Sequence, residues 1–311
     1  MQYVLRHWGK GFDFFKIQIV NFLLQIVTLG FYYPWAKANT LDYLYSHTTL
    51  QDHPFSFTGT GKEMFKGYVK LLLFMGILFS VFYILVINNM GGWGLLLIYL
   101  TLFLIIPFAL HGSYRYRMAK TNWRGIRFGY TGNRSELFIL FFTGLFLTII
   151  TLGIYGPWFY MKLRRYIIGN IKMGDAQFSY SGNGGDFFVL NLVGYILTFF
   201  TLGIYFFWWQ RDLFRFFINN LRMQKGDQMV RFQSTASAGD FFSFIVINLL
   251  IVVFTLGLGI PWVIIRSLQF VTEHIQIEGN ILLEELVQQQ EDFNDAAGED
   301  VIDWLNFDLV I

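Results

Sequence analysis

The stretch TLGIYGPW at 151–158 recurs as TLGIYFFW at 201–208, TLGFYYPW at 28–35 and TLGLGIPW at 255–262. Four copies of so unusual a string mark an internally repeated chain. A degraded copy, TLFLIIPFALHG, begins at Thr101, 50 residues before Thr151, and Thr201 follows Thr151 by another 50. Between Thr28 and Thr151 lie 123 residues, two periods plus an insertion, and Thr255 follows Thr201 by 54. These spacings predict five repeats, the second carrying an inserted helix.

Each copy closes an apolar stretch, and a bilayer core about 30 Å thick needs roughly 20 apolar residues of helix. Six stretches qualify: 14–33, 68–87, 93–110, 137–157, 187–208 and 241–264. The second and third are joined by NNMGG at 88–92, whose residues suit a tight turn, so this pair reads as a transmembrane hairpin. Composition agrees: 55% of residues are hydrophobic, 20% aromatic and only 14% charged, against a globular norm of roughly 25% charged. The expected fold is a mainly α-helical polytopic membrane protein with about six transmembrane or re-entrant helices built from the five repeats. The N-terminal MQYVLRHWGKGFDFF lacks the short apolar core and cleavage site of a secretory signal and is expected to be retained.

Downstream of each box, segments such as FYMKLRRYIIGNIKM (159–173) and WQRDLFRFFINNLRM (209–223) alternate basic and aromatic residues at helical spacing. They read as amphipathic helices at the headgroup level. A short alternating run follows, FSFTGTG from Phe55, IRFGYTGN from Ile126, FSYSGNGG from Phe178 and VRFQSTAS from Val230, each a β-strand running into a turn. An acidic residue then opens the next helix, Asp13, Glu63, Glu136, Asp186 or Asp240, with a phenylalanine two positions on, Phe15, Phe65, Phe138, Phe188 or Phe242. A carboxylate there caps free backbone amides and meets the positive end of the helix dipole. Residues 1–283 thus form a single repeated membrane domain. The segment 284–311 is an acidic tail with nine carboxylates and no basic residue, either solvated or a docking segment with a short helix near 301–309.

The TLGIYGPW box, the RRYIIGN segment and the FSYSGNGGDFF turn resemble the YjgN family of bacterial inner-membrane proteins, a domain of unknown function (DUF898). The likeness covers roughly residues 12–281. It implies a multi-pass protein of the bacterial inner (cytoplasmic) membrane and brings no activity, substrate or catalytic residue with it. One copy departs from the pattern, with Phe206 and Phe207 where the other boxes carry Pro before Trp.

Within the box, Gly30, Pro34, Gly153, Pro157, Gly203, Gly257 and Pro261 mark a bend. It reads either as a helix-terminating turn with aromatic anchors or as a broken helix lining a substrate path. Asn21, Asn191 and Asn248 are candidates for an intramembrane polar layer, by packing or as part of a permeation route. No span carries a well-centred Asp, Glu, Arg or Lys, which argues against a proton-coupled pump. His47, Asp52 and His53 could approach a metal, although a spacing of six does not place both histidines on one helical face and an ordinary interfacial loop accounts for them. The turns TGTG and SGNGG lack the lysine of a phosphate-binding loop, and no Ser, His and Asp arrangement is legible.

The chain is accordingly expected to be no enzyme, without cofactor or metal. Cysteine is absent, which excludes disulfides and thiol catalysis. Its expected partners are membrane lipids, other membrane proteins or further copies of itself, and a net charge of +2 is too small to suggest nucleic acid. The function expected is a non-catalytic membrane scaffold or partner- or lipid-binding protein; the alternative is a channel or transporter using the broken repeat helices. If each stretch crosses once, the loops after the first, third and fifth hold 14 Lys and Arg against seven opposite, which places the termini outside. A re-entrant arrangement would instead keep every copy on the cytoplasmic face.

Overall fold

The computed structural model describes residues 1–283 and Leu286. The remainder of the acidic tail, with the docking helix expected near 301–309, lies outside the described residues. Helix pairs and strand pairs alternate along the chain. Strands β1 (Gln2–Tyr3) and β2 (Leu5–His7) lead into helices α1 (Gly11–Val27) and α2 (Tyr33–Ser46), then strands β3 (Thr48–Leu50) and β4 (His53–Phe57). The order continues through α3 (Gly61–Ile87), α4 (Gly91–Lys120), β5 (Thr121–Trp123) and β6 (Ile126–Tyr130), and through α5 (Arg134–Ile150), α6 (Gly156–Gly169), β7 (Ile171–Met173) and β8 (Ala176–Tyr180). Helices α7 (Gly184–Phe200) and α8 (Phe206–Asn219), strands β9 (Leu221–Lys225) and β10 (Gln228–Ser234), helices α9 (Ala238–Phe254) and α10 (Ile260–Glu273), and strand β11 (Ile275–Gly279) complete it.

All eleven strands among the described residues join one antiparallel sheet, each strand from β2 to β11 pairing with the next in sequence, and β1 with β11. Only Val4 separates β1 from β2, so the sheet closes into a barrel and leaves no long free edge. Where one hairpin's strands meet the next, period-two alternation puts a direct cross-strand pair into the bore. Five cross-strand pairs result: Leu5 with Leu50, Phe55 with Trp123, Phe128 with Met173, Phe178 with Met223 and Phe232 with Ile277. All ten belong to one apolar cluster. Such direct pairs are the unit of sheet stability. Trp123 is fully buried, and its indole NH donates to the carbonyls of Leu50 and His53 at 3.2 and 3.1 Å. Beyond β11, Ile281, Leu283 and Leu286 pack into the same cluster, and the Tyr3 hydroxyl donates to the Ile281 carbonyl at 2.6 Å.

The helices form a closed ring in which each packs on its chain neighbours and α10 packs on α1. One aromatic contact recurs at every junction between hairpins. Trp35 meets Phe65, Phe108 meets Phe138, Trp158 meets Phe188, Phe207 meets Phe242 and Trp262 meets Phe15, with ring centroids 4.9 to 5.5 Å apart. Trp35, Trp158 and Trp262 also cover Gly61, Gly184 and Gly11, the first residues of α3, α7 and α1, where a Cβ would fall into the indole. The start of α7 therefore lies against the third residue of α6, so successive hairpins lean over one another like overlapping blades.

The six-span expectation is corrected here. Stretches 14–33, 137–157, 187–208 and 241–264 are each broken at the box, where the chain reverses and starts a second helix. Two helices among the described residues are long and apolar enough to cross a membrane, Gly61–Ile87 and Gly91–Lys120. The expected headgroup-level helices after the box are the returning arms α6 and α8, and their last residues turn into β7 and β9. The strands do not stand singly with their helices; each is one arm of a hairpin in the barrel.

Candidate functional site

A cavity of about 890 Å³ lies where the barrel meets the helix ring. Its floor is the barrel core, including Leu5, Phe55, Phe128, Met173, Phe178 and Met223, and its walls come from α1, α2, α4 and α10. Polar side chains are a minority of the lining and include Gln18, Gln25, Lys37, Thr40, Arg117 and Ser267. Gln18 donates to the Thr40 hydroxyl at 2.8 Å, which itself donates to the Ala36 carbonyl, and Gln25 donates to the Asn21 carbonyl at 3.2 Å. Size and lining fit a ligand site, mostly apolar with a few polar groups that orient the guest. Lys37 and Arg117 are the two cations in this lining.

Aligning the boxes finds those two cations. Position 37 is Tyr160, Gln210 and Ile264 in the other intact copies, and position 117, ten residues after Pro107, corresponds to Leu44, Ile167, Phe217 and Val271. A charge in one copy where the others are uncharged is a departure that packing alone does not require. Arg164 is a similar departure. It is buried between repeats with its guanidinium over the rings of Phe217 and Tyr180, at 4.4 and 5.1 Å.

The three asparagines expected to form a layer sit on three different helices, and among the described residues no hydrogen bond joins them to one another. Asn21 donates to the Ala36 carbonyl at 3.2 Å, Asn191 to the Phe187 carbonyl at 2.7 Å, and Asn248 accepts from Arg266 at 3.1 Å. Asn21 and Asn248 occupy the position held by Gly144 and Gly194 in other copies, where the rings of Phe159 and Trp209 lie against the glycine. This position sets how closely the two arms of a hairpin approach.

The helix starts divide the capping task differently from the sequence expectation. The capping side chains are Thr60, Asn133, Asn183 and Ser237, which accept from the amides of Glu63, Glu136, Asp186 and Asp240 three residues on. Glu63 and Asp240 complete the reciprocal capping box by accepting from the N-cap amide. Asp13 instead pairs with Lys16 at 3.1 Å, and α1 has no side-chain cap.

His47 ends α2 with Nδ1 on the Tyr43 carbonyl at 2.8 Å, and its ring stacks on Tyr43. Asp52 sits in the β3–β4 turn, and His53 packs edge-on to Trp123. No group of three His, Asp or Glu side chains poised for a metal occurs among the described residues. His7 is buried at the ring's foot. His7 Nδ1 shares a hydrogen bond with the Thr48 hydroxyl at 2.9 Å, and that hydroxyl also reaches the Leu44 carbonyl at 2.8 Å. Burial, and secondarily His47, pushes the His7 imidazole down to about 4, so it is neutral at physiological pH.

A family model described as a bacterial protein of unknown function (DUF898) matches residues 2–181 and 224–304. The chain belongs to this family. Two relatives are called inner membrane protein YjgN: one from Salmonella typhimurium is 37% identical over 122 residues, the other from Escherichia coli K12 is 35% identical over 122. Each match takes in 39% of this chain and 30% or 29% of the relative, so the chain spans about three tenths of the length of these curated relatives. No solved structure matches. With the two long apolar helices, these likenesses make the chain an inner-membrane protein.

Proposed function

We propose that this member of the family is a non-catalytic lipid-binding protein, whose cavity takes the hydrocarbon chain of an anionic amphiphile from the bilayer and holds its head near Lys37 and Arg117. The observation that carries the proposal is the cavity itself: apolar walls closed below by the barrel core, with two cations placed where other copies are uncharged. The filled bore favours binding over conduction. Five cross-strand pairs occupy it, and Ile281, Leu283 and Leu286 lie in the same cluster. The closed sheet also argues against a scaffold that recruits partners by strand addition, since ring closure uses the edges such a partner needs.

The test is native mass spectrometry of protein purified in a mild detergent, followed by organic extraction. The expected result is about one tightly held anionic lipid per chain. Thr40→Trp, which pushes an indole into the cavity, should sharply reduce its retention, and Lys37→Gln with Arg117→Gln should shift the retained species toward neutral lipids. Wild-type protein that releases no lipid on extraction, or a Thr40→Trp variant that keeps it, overturns the proposal.

A further inference from the structure

We infer that the four short hairpins enter only the cytoplasmic leaflet of the membrane, while α3–α4 crosses it completely and the barrel stays in the cytoplasm. The recurring box is then a turn built to sit in hydrocarbon. In the copy at 151–156 every amide has an acceptor within the turn: Thr151 on the Leu147 carbonyl, Leu152 on Ile149, Gly153 on Thr148, Ile154 on Thr151, Tyr155 on the Thr151 hydroxyl and Gly156 on Gly153. The same six bonds recur at 28–33, 201–206 and 255–260. Three of the four copies then place proline at the second or first helical position, which removes one more orphan amide. In lipid every backbone polar group must be satisfied internally, and for their amide donors these turns meet that condition without water.

The residue after the threonine supplies a second, independent observation. Leu29, Leu152, Leu202 and Leu256 all hold left-handed backbone, φ 50 to 51°, although that conformation costs a residue with a side chain of order 1 kcal/mol. Their side chains make almost no contact with the protein, being 88 to 95% exposed. Folding alone favours Gly or Asn at such a position. A leucine kept there, strained and bare, fits acyl chains.

Lengths and charges set the depth and the side. The outgoing arms α1, α5, α7 and α9 have 17 residues and the returning arms 14. At ~1.5 Å per residue they reach about 25 and 21 Å even when upright, short of a hydrocarbon core of ~30 Å, and they lean. Helices α3 and α4, with 27 and 30 residues, reach about 40 and 45 Å. No Asp, Glu, Lys or Arg occurs from 71 to 114, so none of the 23 Lys and Arg lies near the far turn. The positive-inside rule then puts the barrel in the cytoplasm.

The cysteine-free chain allows a direct test with a membrane-impermeant maleimide on Asn89→Cys at the far turn, Leu152→Cys at a short turn and Asp227→Cys at a barrel turn. Spheroplasts should label Asn89→Cys alone, inside-out vesicles Asp227→Cys alone, and detergent all three. A fluorophore placed on Leu152→Cys should be quenched by lipids brominated on their acyl chains. Labelling of Leu152→Cys from outside would show that the short hairpins cross, and labelling in inside-out vesicles would show that they lie in water. Labelling of Asp227→Cys in spheroplasts would invert the orientation. Each of these three results overturns the inference, and none depends on whether the cavity holds lipid.

Discussion

The α3–α4 hairpin and the four short hairpins grow from the same barrel, yet they end in opposite chemistry. The long one turns through Asn88, Asn89 and Met90, and α4 begins without a side-chain cap. Asparagine is at home in that turn, with Asn89 at φ 57°; the amides of Asn88, Asn89 and Met90 bond to Ile84, Val86 and Leu85 as in the short turns, but no side-chain hydroxyl serves the start of the next helix. The short ones turn through Thr-Leu-Gly with every amide bonded internally and a leucine where asparagine would be easier. The degraded box explains how the two came to differ. Pro107, the counterpart of Pro157, lies inside α4, because the inserted residues moved the reversal outward and left the old turn position within a continuous helix. Away from a turn, that copy keeps Thr101 and Leu102 but carries Phe103 in place of the glycine.

The largest effect should come from charge at the tips. Leu152→Arg puts a cation at the end of a short hairpin and should cost roughly 2.5 to 3.5 kcal/mol if the tip is in hydrocarbon, while Asn89→Arg at the long tip should cost almost nothing. Thermal unfolding of both variants in nanodiscs measures the contrast; equal losses would erase the distinction between the hairpins. Next is the threonine hydroxyl. Thr151→Val orphans the Tyr155 amide and should destabilise by about 1 to 3 kcal/mol, whereas Asn88→Ala, next to water, should stay within about 0.5 kcal/mol. A nanodisc melt in which Asn88→Ala is the more damaging would reverse the assignment. The smallest effect, Leu152→Gly, separates strain from insertion. Relief of the left-handed backbone offsets the added chain entropy to within about 1 kcal/mol, so the melting temperature in detergent should hold or rise slightly. In nanodiscs it should fall, because the acyl contact is gone, and matching shifts in both media would remove the leucine's membrane role.

Much of this was visible in the residues, though not its meaning. Both partners of the interlock were legible as repeating marks, the tryptophan of the box and the phenylalanine after each acidic residue. Their contact was not, because Trp35 and Phe65, or Trp158 and Phe188, lie 30 residues apart on different hairpins, beyond the reach of helical periodicity. The apolar runs were equally plain, and reading them as single spans failed for a physical reason. A turn that satisfies its own amides needs no polar residue, so hydropathy runs through it without a break. For the cavity, the sequence offered only the odd cations at 37 and 117, and these stand out once the copies are aligned.

By itself the sequence determined that the chain is repetitive, apolar and destined for a membrane, and that glycine would bend each box, since composition, period and left-handed backbone are local properties. Tertiary structure decided that the first and last strands meet. Only that closure turns five sets of strands into a barrel, brings Trp262 onto Gly11 and Phe15, and gathers five side-chain pairs into one bore. Residues 1 and 279 come together because a ring of leaning hairpins leaves one edge at each end, and pairing the two satisfies backbone groups that neither end can satisfy alone.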